Sequence, residues 1–195
     1  MKQKLKLALV GAGERGQYCY APYAKMHGYE IEFVAVADPH KGRREKFVQD
    51  YHVPAEGVFE TAEQFFARPR MADAVLICTQ DSQHYAYACQ AIDLGYSILL
   101  EKPISPSVRE CLDLQRRAEE KGTQIMVCHV MRYTKFYRKL KELIDSGVIG
   151  DVVHVTHTEN VAYWHYAHSY VRGNWHKTAD SSPMILAKCC HDMDI

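Results

Sequence analysis

The short apolar run Leu5-Lys-Leu-Ala-Leu-Val10 ends in Gly11-Ala-Gly13-Glu14-Arg15-Gly16, and a helix-forming stretch follows. A strand that breaks into Gly-x-Gly-x-x-Gly and re-enters as a helix is the opening of a dinucleotide-binding βαβ unit. Each glycine has its own task. Gly11 permits the tight turn, Gly13 lets the backbone approach a pyrophosphate, and Gly16 lets the helix pack close to the strand. The unpaired N–H groups and positive dipole end of that helix attract phosphates. Glu14 and Arg15 lie in the same bend. A second apolar run, Ile31 to Ala37, closes on Asp38. That acid stands about 20 residues past the glycines, where a carboxylate accepts hydrogen bonds from ribose hydroxyls. A carboxylate there favours NAD, because it repels the 2′-phosphate of NADP. Lys41, Arg43 and Arg44 lie close enough in sequence to blur that preference, so NADP stays open.

The rest of the chain repeats the alternation. Strands are expected at Lys4–Val10, Ile31–Ala37, Ala74–Cys78, Ser97–Leu100 and Gln124–Val130, with a short one near Val58-Phe59. Helices are expected at Arg15–His27, Gly42–Tyr51, Ala62–Ala67, Gln83–Leu94 and Pro106–Lys121. Short apolar strands between amphipathic helices make an α/β fold with a doubly wound parallel sheet. Two caps compete before the last helix: Ser105 with Pro106 at the first helical position, or Ser107 with Glu110. This first, dinucleotide-binding domain is read as residues 1–130.

From residue 131 the pattern changes. Arg132 to Ser146 reads as a basic helix, Asp151 to Val161 as a strand, and Met184 to Ile195 as a helix. Between them lies a stretch rich in aromatics and histidine. A lone strand cannot satisfy its edges or bury a face. Residues 131–195 therefore read as the start of a second domain, cut short.

Lysine plus arginine and aspartate plus glutamate both total 24, so no net charge draws the chain to nucleic acid or an anionic membrane. No apolar stretch approaches the roughly 20 residues of a membrane span. The apolar run behind Met-Lys-Gln-Lys-Leu-Lys is too short for a signal peptide. The seven cysteines include no C-x-x-C and read as reduced thiols, so a cytoplasmic location is expected. His165 and His168 lack partners at a zinc spacing, and no metal is expected.

Leu99-Leu100-Glu101-Lys102-Pro103 ends a parallel strand, at the sheet edge where ligands bind. There an ammonium can point at a reacting carbon–oxygen bond, and Glu101 can position it. With the glycine bend, with Cys78-Thr79-Gln-Asp-Ser-Gln-His84, Ile144-Asp-Ser-Gly147-Val-Ile-Gly150 and His191-Asp-Met-Asp194, this segment resembles the Gfo/Idh/MocA oxidoreductases (glucose–fructose oxidoreductase, inositol dehydrogenase and rhizopine-catabolism proteins). The resemblance implies a Rossmann domain followed by an α/β domain with a large open antiparallel sheet, through which copies pair as homo-oligomers. It implies that Lys102 is catalytic, that Thr79 and His84 lie around the nicotinamide ribose, that Arg132 lies near the cofactor, and that His191 is the general base. The chain departs from the family in two places, and one is the frequent Asn before Arg132, where Val130 or Met131 stands instead. Many members carry Asp four residues before that histidine, and here the position is Ala187, with Lys188 beside it as a further catalytic candidate. Lys188 shares a helix face with His191 and Asp192.

Arg172, Trp175 and His176 resemble a loop that reaches the substrate cleft in some members. Together with Asp192 they are the candidate sugar- or polyol-binding residues. The expected reaction is hydride transfer between NAD(P) and a hydroxyl carbon of a sugar, inositol or related polyol. A NAD-dependent glycosidase with transient oxidation and a non-catalytic NAD-binding sensor are the rivals. The 195 residues alone are expected to bind cofactor with little or no turnover.

Overall fold

Six strands, β1 (Leu5–Val10), β2 (Ile31–Ala37), β3 (Val58–Phe59), β4 (Ala74–Ile77), β5 (Ser97–Leu100) and β6 (Ile125–Val127), form one sheet in the order β3-β2-β1-β4-β5-β6. Every pairing is parallel. This computed structural model describes residues 3–195 and divides the chain into two units, one ending at Val127 and one beginning at Cys128. Strand order reverses between β1 and β4, which leaves a crevice at their carboxyl ends.

The inner stretches of β1, β2 and β4 are apolar because both faces are covered there. Ala8, Val10, Val75 and Ile77 face one core with Phe65, Tyr87, Ile92 and Leu114. Leu7, Leu9, Phe33 and Leu76 face the other with Phe47. Leu7 pairs with Phe33 but Ala8 pairs with Ala35, so Val34 is an extra residue in β2. That bulge resets the alternation and keeps Ala35 and Ala37 in the same core as Ala8 and Val10.

The helices of this unit are α1 (Pro22–Met26), α2 (Lys41–Tyr51), α3 (Ala62–Phe66), α4 (His84–Asp93) and α5 (Val108–Lys121). The single helix expected over Arg15–His27 is instead a π-helical turn, Arg15–Tyr20, followed by α1. Pro22 has no N–H and its ring crowds the carbonyl four residues back. The backbone widens just before it, and Ala21 N–H donates to Gly16 O at 3.0 Å. At α5 the Ser107 cap prevails, its hydroxyl accepting from Glu110 N–H at 3.4 Å. Ser105 does not cap the helix. Its hydroxyl accepts from Ser107 N–H at 3.0 Å and bonds the Glu110 carboxylate. β6 stops at Val127, short of the expected Val130, where a 3₁₀ turn, Val130–Tyr133, begins.

The second unit contains α6 (Lys135–Asp145), capped by Thr134, then α7 (Tyr163–Tyr166), a π-helical turn at Ala167–Val171, and α8 (Met184–Asp194). The strand expected over Asp151–Val161 does not form. Those residues join no ladder, and Val153 is 95% exposed. The alternation is present, but a strand also needs a neighbour to take its N–H and C=O groups, and the described residues supply none. No helix among the described residues is long and apolar enough to cross a membrane.

Candidate functional site

The glycine bend follows β1, and a methyl group added at each glycine meets something different. At Gly11, where φ is +94°, it would lie 2.5 Å from Cys78 O. At Gly16 it would strike Gly11 O and lie 2.8 Å from Leu9 Cδ1. At Gly13 nothing lies within 4 Å. Protein therefore forbids side chains at Gly11 and Gly16, whereas Gly13 opens onto empty space. Only at Gly13 does the bend leave room for a ligand to approach the backbone.

Asp38 buttresses the cradle. Its Oδ2 accepts from Ala12 N–H at 2.7 Å and its Oδ1 from His40 N–H at 2.8 Å. Each oxygen keeps a lone pair that a ribose hydroxyl could use. Arg44 is committed elsewhere: it donates to Asp38 O at 2.6 Å and to Glu60 Oε1 at 3.2 Å. Lys41 and Arg43 are exposed. Of the three basic residues that blurred the cofactor preference, the buried one is already engaged.

Across the crevice, Thr79 follows β4, and its Oγ1 is buried without a hydrogen-bond partner. Glu101 follows β5 and is buried. It accepts from Tyr20 O–H and from Lys102 N–H, the latter at 3.0 Å. Desolvation lowers the Arg15 guanidinium, but the nearby Glu101 carboxylate, with Cys19 and Tyr20, outweighs this and leaves it above its ordinary value. The Lys102–Pro103 bond is cis. His84 is 0% exposed, with Nδ1 2.7 Å from Pro103 O and Nε2 3.3 Å from Thr79 O. Its ring is thus a staple between the turns after β4 and β5. Glu14 and Arg15 remain exposed at the bend.

In the second unit α8 carries Lys188, His191 and Asp192, as expected. Arg132 serves a purpose that its motif position did not suggest: its guanidinium grips both oxygens of Asp194 on α8. Hydrogen bonding to Arg132, opposed by desolvation and helped by His129 and His191, holds Asp194 below the usual carboxylate range. His129 and His191 meet edge to face, with centroids 5.9 Å apart. On its neighbouring face α8 presents Lys188 Nζ to Glu159 Oε1 at 2.8 Å and Asp192 to His157 Nε2 at 2.8 Å. Arg172, Trp175 and His176 share one turn, in which Trp175 N–H donates to Ser169 O at 3.2 Å and His176 N–H to Gly173 O at 3.1 Å.

Sequence reasoning missed Tyr20, His129, His157, Glu159 and Asp194. Asp194 stood in the quoted His191-Asp-Met-Asp194 motif and could have been found there. The others carry no local signal, because their partners are far along the chain. One group, His157, Glu159 and Asp192, brings three ligand-type atoms within 4.8 Å of one another.

A family model described as "Oxidoreductase family, NAD-binding Rossmann fold" (GFO_IDH_MocA) matches residues 5–129. Inositol 2-dehydrogenase of Pseudomonas syringae pv. syringae is 32% identical over 157 residues, covering 78% of this chain and 46% of that protein. 2,7-Anhydro-N-acetylneuraminate hydratase of Mediterraneibacter gnavus is 28% identical over 187 residues, covering 96% and 47%. The chain thus spans about half the length of these curated relatives. Among solved structures, the WlbA dehydrogenase of Bordetella pertussis, in complex with NADH and UDP-GlcNAcA, superimposes with a TM-score of 0.79 at 19% identity, over 98% of this chain and 57% of that one. That likeness is one of fold. The glycine cradle, the reversed strand order and the family match agree: the chain belongs to the Gfo/Idh/MocA oxidoreductase family and carries its NAD-binding Rossmann domain.

Proposed function

We propose that this chain is the cofactor-binding and proton-handling part of an oxidoreductase acting on a hydroxyl carbon of a sugar, inositol or related polyol. The observation that carries the reading is the open cradle at Gly13, buttressed by Asp38, in a sheet whose carboxyl edge also holds Glu101 and Lys102. The residues fit NAD: Gly13 and the bend would hold its pyrophosphate, and Asp38 would accept from its ribose. Bound NAD+ supplies the hydride acceptor. In this reading Lys102 steadies charge on the substrate oxygen as the carbon–oxygen double bond forms, and His191 is the candidate base. General base catalysis of this kind contributes about 10²–10⁴-fold. Glu101, fixed by Tyr20, aims Lys102, and His84 ties its turn to the one after β4. Seven free thiols support a reducing, cytoplasmic setting. Self-association through the second domain belongs to the same reading.

The test is a screen of inositols and sugars with NAD+ and NADP+ on the whole protein, read by nicotinamide absorbance. Stoichiometric NADH with at least one polyol is expected, and Lys102→Ala should abolish turnover while sparing NADH binding. Equal losses in both would sink the role of Lys102. A second reading rests on the hydratase relative, whose match covers 96% of this chain. There oxidation is transient, the substrate loses or gains a group, and no NADH accumulates. Substrate consumption without net NADH selects it.

A further inference from the structure

Ala187 stands where the family resemblance places an aspartate four residues before His191. The structure places other charges beside the same helix. Lys188 and Asp192 are four apart on α8, a rise of about 6 Å. Glu159 and His157 are two apart in the chain that approaches it, about 6.7 Å when extended. The two spacings match, so both pairs close at once, in opposite chain directions: Glu159 on Lys188 and His157 on Asp192, each at 2.8 Å. These contacts are partly covered, with His157 the most open at 36%. The Asp192 side chain is 9% exposed, and Lys188 and Glu159 are 25% and 28%. Asp192 Oδ2 is buried with no hydrogen-bond partner, so the carboxylate is held from its Oδ1 side by His157.

We infer that Glu159 and His157 are positioning residues, Glu159 orienting the Lys188 ammonium and His157 the Asp192 carboxylate, so that α8 presents a fixed lysine–aspartate pair flanking His191. The inference rests on the proposed reading of α8 as the proton-handling helix, and it supplies the carboxylates that Ala187 does not. The same atoms resemble a metal ligand set, but the Lys188 ammonium already neutralises Glu159. The pairing also gives the 157–159 segment a task that does not depend on a strand ladder.

The test has two parts, both on the whole protein. Zero-length carbodiimide coupling of the unmutated protein, followed by peptide mass spectrometry, should yield a Glu159–Lys188 amide; its absence overturns the inference. With a polyol found in the screen, Glu159→Gln should lower kcat about a hundredfold, the scale of a misplaced catalytic group. The KM for NAD+ should stay within about twofold, and Glu159→Asp should recover most of kcat. A kcat unchanged in Glu159→Gln, or a loss that Glu159→Asp does not repair, overturns the inference even if the amide forms. If the unmutated protein oxidises no polyol, the proposed function fails, and the coupling result alone decides whether Glu159 holds Lys188.

Discussion

Gly11, Gly13 and Gly16 look equivalent in the motif, yet an added methyl group separates them. Gly11→Ala forces a side chain into a positive φ and against Cys78 O. Gly16→Ala drives it into Gly11 O and Leu9. Each should cost about 1–3 kcal/mol of stability, through backbone strain or overpacking. Gly13→Ala meets no protein atom. It should melt with the unmutated chain and lose NADH binding, a contrast that paired melting and calorimetry would read directly. Asp38 makes a second residue-scale case. Asp38→Ala removes the acceptor for Ala12 N–H, and an orphaned buried donor costs about 1–3 kcal/mol. It also removes the charge facing a 2′-phosphate. NADH affinity should fall and the gap between NADH and NADPH should narrow; a gap that widens would assign cofactor choice to another residue.

At the scale of the element, what was legible in the sequence depended on range. Periodicity located all six strands of the sheet, since a buried parallel strand announces itself by a short, mostly apolar run between turn residues. It missed where elements give way, because that is decided by one atom or one partner. The π-helical turn before Pro22 follows from a missing N–H, and the choice of Ser107 over Ser105 follows from which hydroxyl reaches Glu110 N–H. The site divides the same way. The glycine bend and Glu101-Lys102-Pro103 are contiguous and readable. Tyr20 with Glu101, 81 residues apart, and Arg132 with Asp194, 62 apart, exist only after folding. The last pair carries a pH prediction. The folded Asp194 carboxyl lies below its ordinary value, so its unfolded value is the higher one. Its contribution is full above the usual range near about pH 4 and is lost as pH falls through the lower folded value. Helicity of the second unit in the unmutated chain should therefore decline on acidification below about pH 4. Asp194→Asn should already show that loss at neutral pH and respond less to acid.

For the molecule as a whole, the two units differ in what holds them. The first has apolar residues on both faces of a paired sheet, with Leu9, Val75, Ile77 and Leu100 fully enclosed. The second joins α8 to its surroundings through charged side chains, and its 151–161 segment has the alternation of a strand without a ladder. Sequence alone could not distinguish those situations, because alternation reports which face is apolar and not whether a partner is present. Hydrogen exchange can. Amides in β1, β4 and β5 are ladder-bonded and buried, so they should open only with the whole first unit and exchange slowest. Amides of 152–161 should exchange among the first, since side-chain pairs at His157 and Glu159 leave backbone N–H groups exposed. Added NADH should slow exchange at residues 11–17 and near Asp38, and leave 152–161 unchanged in this chain. If 152–161 proved as protected as β1, and more so at higher protein concentration, the segment would be pairing with a second copy. The missing ladder would then be one that the chain completes by self-association.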